Sequence, residues 1–153
     1  MHLLNTTHLQ IQTIALHCGI MDVQYFSKVD EPTVICMFGD HQPTVETNFI
    51  AEVMGVKNLS NLTPEQEQSR YCTPFYIWAN YDIEEKTVER LSSNYLSSLV
   101  LDTAGVKLTK YNQYLLKLSE ILPVINNAGY IDKDGNYYKW SDESPYSEIL
   151  DKY

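Results

Sequence analysis

The sequence predicts an α/β fold, because short apolar runs typical of buried strands alternate with segments of helical periodicity. Two runs rich in β-branched and aromatic residues, at residues 33–38 and 74–79, predict the central strands. Two apolar stripes with a spacing near four follow between residues 87 and 122. We therefore expect a sheet flanked by helices, with a small hairpin near the C-terminus.

The first half of the chain contains one predicted strand followed by two predicted helices. Residues 1–21 fit neither period, whereas residues 33–38 form an apolar run that ends at Gly39. The next helix should start at Thr44 as N-cap and stop at Gly55, because glycine suits the left-handed position after a helix. Its apolar positions recur at helical spacing: Val45, Phe49, Ile50, Val53 and Met54. Pro64 then predicts the first turn of a short polar helix that runs to Ser69.

The second half contains the second strand, two helices and the hairpin. The helical stripe from Thr87 to Thr103 ends at Ala104-Gly105, and Thr109 can cap a further helix that Pro123 terminates. The segment Asp132–Asn136 resembles a calcium loop only superficially, because acidic residues are absent from the first and last ligand positions. Asp134-Gly135 instead predicts a hairpin turn. Residues 141–153 should form a short helix or a loosely held tail.

Charge and composition exclude several classes of partner. The formal net charge is -9, and binding to nucleic acid requires clustered lysine and arginine. The chain contains no run of eighteen apolar residues, so we expect no membrane segment in it and expect this chain alone to be soluble. Cys18, Cys36 and Cys72 are odd in number and widely spaced, which argues against a disulfide framework or a zinc knuckle.

Asp40 and His41 follow the first predicted strand directly after Gly39. Ligands of open α/β sheets bind at the carboxyl ends of strands, and a carboxylate beside an imidazole suits a divalent cation of the zinc or manganese type. A structural interpretation is also open, in which Asp40 caps the next helix and His41 fills a rim position. The dipeptide alone does not decide between the two interpretations.

The wider context resembles the lipoteichoic-acid-synthase-like branch of the alkaline phosphatase and sulfatase superfamily. The most specific element is Phe38-Gly39-Asp40-His41-Gln42-Pro43, and the resemblance covers roughly residues 22 to 140. Further segments fall in the order found in bacterial phosphoglycerol-transferase-like proteins: Asp30–Thr33, Tyr71–Tyr81, Ser92–Leu96, Leu99–Val106, Lys110–Leu115 and Pro123–Ile125. The resemblance implies a partial alkaline-phosphatase-like sheet. It also implies that residues 1–153 form a single domain, the C-terminal portion of a sulfatase-like catalytic domain, with residues 1–21 poorly matched.

The resemblance also implies metal-dependent chemistry on phosphodiester or sulfate-ester bonds of cell-envelope glycopolymers or lipids. Such enzymes hold a divalent cation, commonly manganese, with zinc and magnesium as alternatives. Asp40 and His41 match the aspartate–histidine pair of metal ligands. The family's threonine nucleophile and acidic ligand belong to strands upstream of the residues that match, so we assign no catalytic residue in this chain. We expect the cation to bind weakly and the chain to be inactive alone.

Two other interpretations stay open: a binding or scaffold module with the same fold, and a lookalike in which Asp40 and His41 are structural. If the resemblance holds, the partner would be the upstream part of the same catalytic domain, or a second copy that associates through the exposed sheet. The parent family works outside the cytoplasm and is anchored in the membrane, and we expect that location by resemblance. Neither the choice between phosphodiester and sulfate-ester substrates nor the oligomeric state follows from the sequence.

Overall fold

A computed structural model describes residues 19–42 and 44–153, which form a mixed α/β structure with two small antiparallel sheets. The α/β prediction is therefore confirmed. Within the described residues, one compact unit contains residues 19–39 and 74–85, and the other contains residues 40–73 and 86–153. Cys18 and most of the poorly matched residues 1–21 lie outside the described part. No helix in the described part is both long enough and apolar enough to cross a bilayer.

The first unit contains helix α1 (residues 19–26 of the described part), strand β1 (Val34–Phe38) and strand β2 (Phe75–Ala79). The strands pair antiparallel over their full length, and their observed bounds agree with the predicted strands to within one residue at each end. Gly19 allows close packing here, because a Cβ atom at this position would lie 2.5 Å from the Tyr76 hydroxyl and 2.6 Å from the Met37 sulfur.

Asn80, just after β2, fixes the loop that leads into β1. Its side-chain oxygen accepts a 2.8 Å hydrogen bond from the Thr33 amide. Its side-chain nitrogen donates to the carbonyl oxygens of Val29 at 2.8 Å and Glu31 at 2.9 Å. One asparagine thus satisfies the backbone of several loop residues, which a sequence pattern does not reveal.

The second unit begins with three short helical segments: α2 (Thr47–Val53), a 3-10 turn (Leu59–Asn61) and α3 (Pro64–Ser69). Gly55 has a φ of 69°, as expected of a left-handed helix stop. The predicted N-cap at Thr44 is wrong, because α2 starts later and Glu46 occupies the cap position. The α3 prediction is confirmed, and Thr63 and Gln66 form a reciprocal capping box in front of it.

Helices α4 (Ser93–Thr103) and α5 (Lys110–Ile121) carry much of the core of this unit. The predicted start of α4 at Thr87 is wrong, because the hydrogen bonds of Ser92 hold that residue outside the helix. The Ser92 amide donates to the Pro123 carbonyl at 2.8 Å, and its hydroxyl donates to the Ile125 carbonyl at 2.8 Å while accepting from the Ile125 amide at 2.6 Å. The predicted cap at Thr109 is confirmed by a hydrogen bond from the Asn112 amide.

Strands β3 (Val124–Asn126), β4 (Gly129–Ile131) and β5 (Tyr137–Tyr138) form an antiparallel sheet in that order. The predicted hairpin at Asp134-Gly135 joins β4 to β5 and is confirmed, with a φ of 87° at Gly135. Gly129 is required because a Cβ atom at this position would collide with the Tyr138 carbonyl oxygen. A short helix α6 (Ser147–Leu150) lies within the predicted tail. The buried core joins α4, α5 and this sheet: Tyr95, Leu115, Leu118, Leu122, Ile125 and Tyr130.

Candidate functional site

The candidate site lies just after β1, where the chain leaves the first sheet. The Gly39 amide donates a 3.0 Å hydrogen bond to the Pro74 carbonyl, which extends the pairing of the two strands by one residue. The pairing is antiparallel, so the carboxyl end of β1 lies beside the amino end of β2. Asp40 and His41 follow immediately in the chain.

The side chains of Asp40 and His41 face each other. Asp40 Oδ2 lies 3.4 Å from His41 Nε2, and the side chains are 81% and 72% exposed. Asp40 Oδ1 accepts a 2.9 Å hydrogen bond from the His41 amide. Asp40 does not cap a helix, because α2 begins at Thr47 and has Glu46 as its cap residue. The capping interpretation of Asp40 is therefore wrong.

The second ring nitrogen of His41 determines which atom can bind a ligand. Nδ1 lies 2.9 Å from the Gln42 carbonyl oxygen. A carbonyl oxygen only accepts hydrogen bonds, so Nδ1 carries a proton. Nε2 is the ring atom nearest Asp40 Oδ2, which it meets either as the second N–H donor of an imidazolium or as the lone-pair atom of a neutral ring. Two lone-pair atoms that face each other repel unless a proton or a cation lies between them. The arrangement is thus suited to an electrophile shared by Nε2 and Oδ2.

The spacing of the two donors fits a single metal ion. Zinc-type ions bind imidazole nitrogen and carboxylate oxygen at roughly 2.1 Å, so two tetrahedral ligands of one ion lie about 3.4 Å apart. The observed separation of Nε2 and Oδ2 is 3.4 Å. A backbone carbonyl that accepts the other imidazole proton is also the usual outer partner of a metal-bound histidine. The 3.4 Å separation of Asp40 Oδ2 and His41 Nε2 thus suits a shared divalent cation and equally a direct ion pair between the carboxylate and a protonated imidazole.

The loop that carries the pair is tied to a second segment of the same unit. The Gln42 side-chain amide donates to the Cys72 carbonyl oxygen. Cys72 itself is exposed, and its sulfur lies 3.5 Å from the Gln68 carbonyl oxygen. Over residues 19–42 and 44–153, no group of three or more histidine, cysteine, aspartate or glutamate side chains is placed to hold a metal. The described residues thus bring together two candidate ligands.

The structure also contains a buried carboxylate that sequence reasoning missed. Asp132 is 2% exposed and lies in the β4–β5 hairpin. Its Oδ1 accepts from the amides of Asp134 at 3.0 Å and Asn136 at 2.8 Å. Its Oδ2 accepts from the Asn136 side chain at 3.0 Å and from the hydroxyls of Tyr138 at 3.3 Å and Tyr146 at 3.1 Å.

Asp132 carries a negative charge that these donors stabilise. Burial alone would raise the pKa of this carboxyl, but hydrogen bonds from Asn136, Tyr146 and Asp134 outweigh burial and lower it. The same carboxylate, after burial itself, raises the pKa of the Tyr138 and Tyr146 hydroxyls. The one signal available in the sequence was the position of Asp132, two residues before Asp134 of the predicted turn. An aspartate at this spacing can accept a hydrogen bond from the backbone of the turn. Four of its donors belong to the hairpin, and the fifth, Tyr146, is the cap residue of α6, so Asp132 holds the hairpin together and ties it to the start of α6.

Comparisons with known proteins give a distant and partial similarity. The chain is 27% identical over 108 residues to a protein of Rhizobium meliloti (strain 1021) named "Putative cyclic beta-1,2-glucan modification protein". The aligned part covers 69% of this chain and 17% of that protein, so this chain spans about a sixth of its length. No protein-family profile matches the chain, and no solved structure matches it. The chain is thus distantly similar, over most of its length, to a bacterial protein whose name refers to glucan modification.

Proposed function

We propose that this chain is the metal-site portion of a sulfatase-like phosphoglycerol transferase that modifies a cell-envelope glycan. The observation that carries the proposal is the geometry of Asp40 and His41, whose facing Oδ2 and Nε2 atoms are spaced for one cation. The similarity to a protein named for cyclic glucan modification supports a glycan as the acceptor. Transfer of a phosphoglycerol group from a phosphodiester donor to a glucan hydroxyl, with release of the donor's alcohol, would satisfy both observations.

In this proposal Asp40 and His41 are ligands and act neither as acid nor as base. A divalent cation, manganese first and zinc or magnesium as alternatives, would stabilise negative charge on phosphoryl or sulfuryl oxygens when bound there. Asp40 Oδ2 and His41 Nε2 would hold it, and the bond from His41 Nδ1 to the Gln42 carbonyl would fix the ring. The high exposure of both side chains leaves room for further ligands and for substrate.

The remaining parts of the catalytic machinery are proposed to lie outside these residues. This chain matches 17% of the length of the Rhizobium protein, which leaves ample sequence there for a nucleophile and further ligands. We propose a threonine nucleophile and an acidic ligand from the upstream part of the same catalytic domain. An extracytoplasmic, membrane-anchored location of the whole enzyme is part of the same proposal.

A second candidate function is a binding or scaffold module with the same fold and no chemistry. It is favoured by the finding that the described residues bring together two candidate ligands, fewer than the three that a catalytic zinc site typically takes from the protein. The two functions differ in one measurable property, because a scaffold module does not need Asp40 and His41 to bind a cation.

We expect the 153-residue chain to bind Mn²⁺ or Zn²⁺ weakly, because two ligands leave most of the coordination sphere to water. Replacement of Asp40 or His41 by alanine should weaken that binding by about tenfold or more. Isothermal titration calorimetry measures the affinity. Asp102→Ala, which removes an exposed carboxylate from α4, is the matched control and should bind as the unmodified chain does.

The same substitutions test the activity. In the full natural polypeptide that carries this sequence, Asp40→Ala and His41→Ala should abolish cleavage of a chromogenic phosphodiester, while the 153-residue chain alone should show no turnover. If neither substitution changes the metal affinity or the turnover, Asp40 and His41 are not ligands, and the scaffold module is favoured. Tight stoichiometric binding by the isolated chain would instead show that it holds a complete site.

A further inference from the structure

Gln42 contacts two different parts of the second unit, one through its backbone and one through its side chain. Its carbonyl oxygen lies 2.9 Å from His41 Nδ1 and accepts a hydrogen bond from that protonated nitrogen. Its side-chain nitrogen donates to the Cys72 carbonyl oxygen, which lies 30 positions further along the chain. One residue therefore joins the histidine ring to a distant segment.

The segment that contains Cys72 is itself fixed to the carboxyl end of α3. The Cys72 amide donates to the Ser69 carbonyl at 3.3 Å, and the Tyr71 amide donates to the Gln68 carbonyl at 3.0 Å. The Cys72 sulfur also lies 3.5 Å from the Gln68 carbonyl oxygen. These contacts continue the hydrogen bonding of α3 as far as Cys72. The carbonyl that accepts from Gln42 therefore belongs to an ordered backbone.

A buried pair of side-chain amides joins α3 to the three-stranded sheet. Gln68 is 5% exposed, and its side-chain nitrogen donates to Asn126 Oδ1 at 3.3 Å. The Asn126 side-chain nitrogen donates in return to Gln68 Oε1 at 2.5 Å. Asn126 ends β3, and the preceding residue, Ile125, belongs to the buried core. Because all these residues belong to the second unit, a continuous set of contacts runs from its core to Gln42 and His41.

We infer that Gln42 is a positioning residue for His41, whose carbonyl selects the Nδ1–H tautomer of the ring and whose side chain holds that carbonyl in place. A neutral imidazole in water exchanges between two tautomers, and the Nε2–H form predominates. Only the Nδ1–H form presents an Nε2 lone pair toward Asp40 Oδ2. A ring that is already in this form and orientation loses less entropy when it binds a cation. This consequence for the cation rests on the proposed function, whereas the selection of the tautomer does not.

The first measurement uses the 153-residue chain without metal. The nitrogen NMR shifts of the neutral His41 ring distinguish its two tautomers. The sequence contains four histidines, so His41→Ala identifies the signals of His41. We expect the Nδ1–H form to predominate in the unmodified chain. Gln42→Met keeps the length of the side chain but removes the amide that donates to Cys72, and it should shift the population toward the Nε2–H form.

The second measurement is the affinity for Zn²⁺ by calorimetry. Gln42→Met should weaken Zn²⁺ binding by about tenfold, as expected when a metal-bound histidine loses the support of its outer partner. Gln113→Met is the matched control, because Gln113 is an exposed glutamine of the same unit whose side chain also donates to a backbone carbonyl, that of Leu108 at 3.2 Å. It should leave both the tautomer and the Zn²⁺ affinity unchanged. Thermal unfolding shows that each variant is folded.

A predominant Nε2–H form in the folded, unmodified chain would overturn the inference, and so would a tautomer population that Gln42→Met leaves unchanged. The inference and the proposed metal site can fail separately. If the tautomer depends on Gln42 but Zn²⁺ binding does not depend on Asp40 and His41, the inference is supported and the metal site is overturned. If Zn²⁺ binding depends on both ligands but neither it nor the tautomer depends on Gln42, the metal site is supported and the inference is overturned.

Discussion

Replacement of Asp132 by alanine should lower the free energy of unfolding of the second unit by about 3 kcal/mol, because it removes a buried charged acceptor and leaves several partly buried donors without a partner. The carboxylate accepts from two backbone amides, one side-chain amide and two tyrosine hydroxyls. Urea denaturation followed by circular dichroism measures the loss. Asp134→Ala is the matched control from the same hairpin. Its carboxylate is exposed and paired with Lys133 at the surface, so its removal should cost less than about 1 kcal/mol.

The contribution of Asp132 should also depend on pH in a defined direction. Its pKa in the folded chain lies below the ordinary value, because the hydrogen bonds outweigh burial. The stabilisation is therefore fully present above the unfolded-state pKa of roughly 4 and is lost as the pH falls through the folded-state pKa. The difference in stability between the original chain and Asp132→Ala should be constant from neutral pH to about pH 5 and should shrink in stronger acid. A difference that grows in acid would contradict this assignment.

The elements that sequence reasoning predicted well are those determined by local chemistry. β1 and β2 are runs of apolar β-formers, and the β4–β5 turn contains an Asp-Gly pair. Gly55 and Thr109 lie at a helix stop and a helix cap, where short-range geometry selects glycine and threonine. In each case a few neighbouring residues suffice to specify the backbone.

The errors arise where distant residues decide the structure. α4 begins at Ser93 because Ser92 is hydrogen-bonded to Ile125, 33 positions away. The apolar stripe of helical spacing begins at Thr87, and it therefore predicted a start of α4 that is too early. The antiparallel pairing of β1 with β2 depends on the path of the chain between them, which periodicity does not encode.

The candidate site was also predicted only in part. The sequence predicted that Asp40 and His41 would lie together after a strand, and the structure places them there with their side chains exposed. Their role as metal ligands stays a prediction. The orientation of His41, with Nδ1 on the Gln42 carbonyl, could not be predicted because it depends on local torsion angles. The buried carboxylate of Asp132 was missed because two of its hydrogen bonds come from the hydroxyls of Tyr138 and Tyr146, which only the three-dimensional structure brings to it.

Replacement of Leu118 by alanine should lower the free energy of unfolding of the second unit by about 3 kcal/mol, because it removes buried methyl groups and leaves a cavity. Leu118 is 3% exposed and belongs to the core cluster that joins α5 to α4 and the three-stranded sheet. Leu118→Met keeps the volume and should cost less than about 1.5 kcal/mol. Leu116→Ala, which truncates a partly exposed leucine of the same helix, should cost less than Leu118→Ala. Equal losses for Leu116→Ala and Leu118→Ala would show that the core does not run through this face of α5. The hairpin that contains Asp132 would then need another source of rigidity.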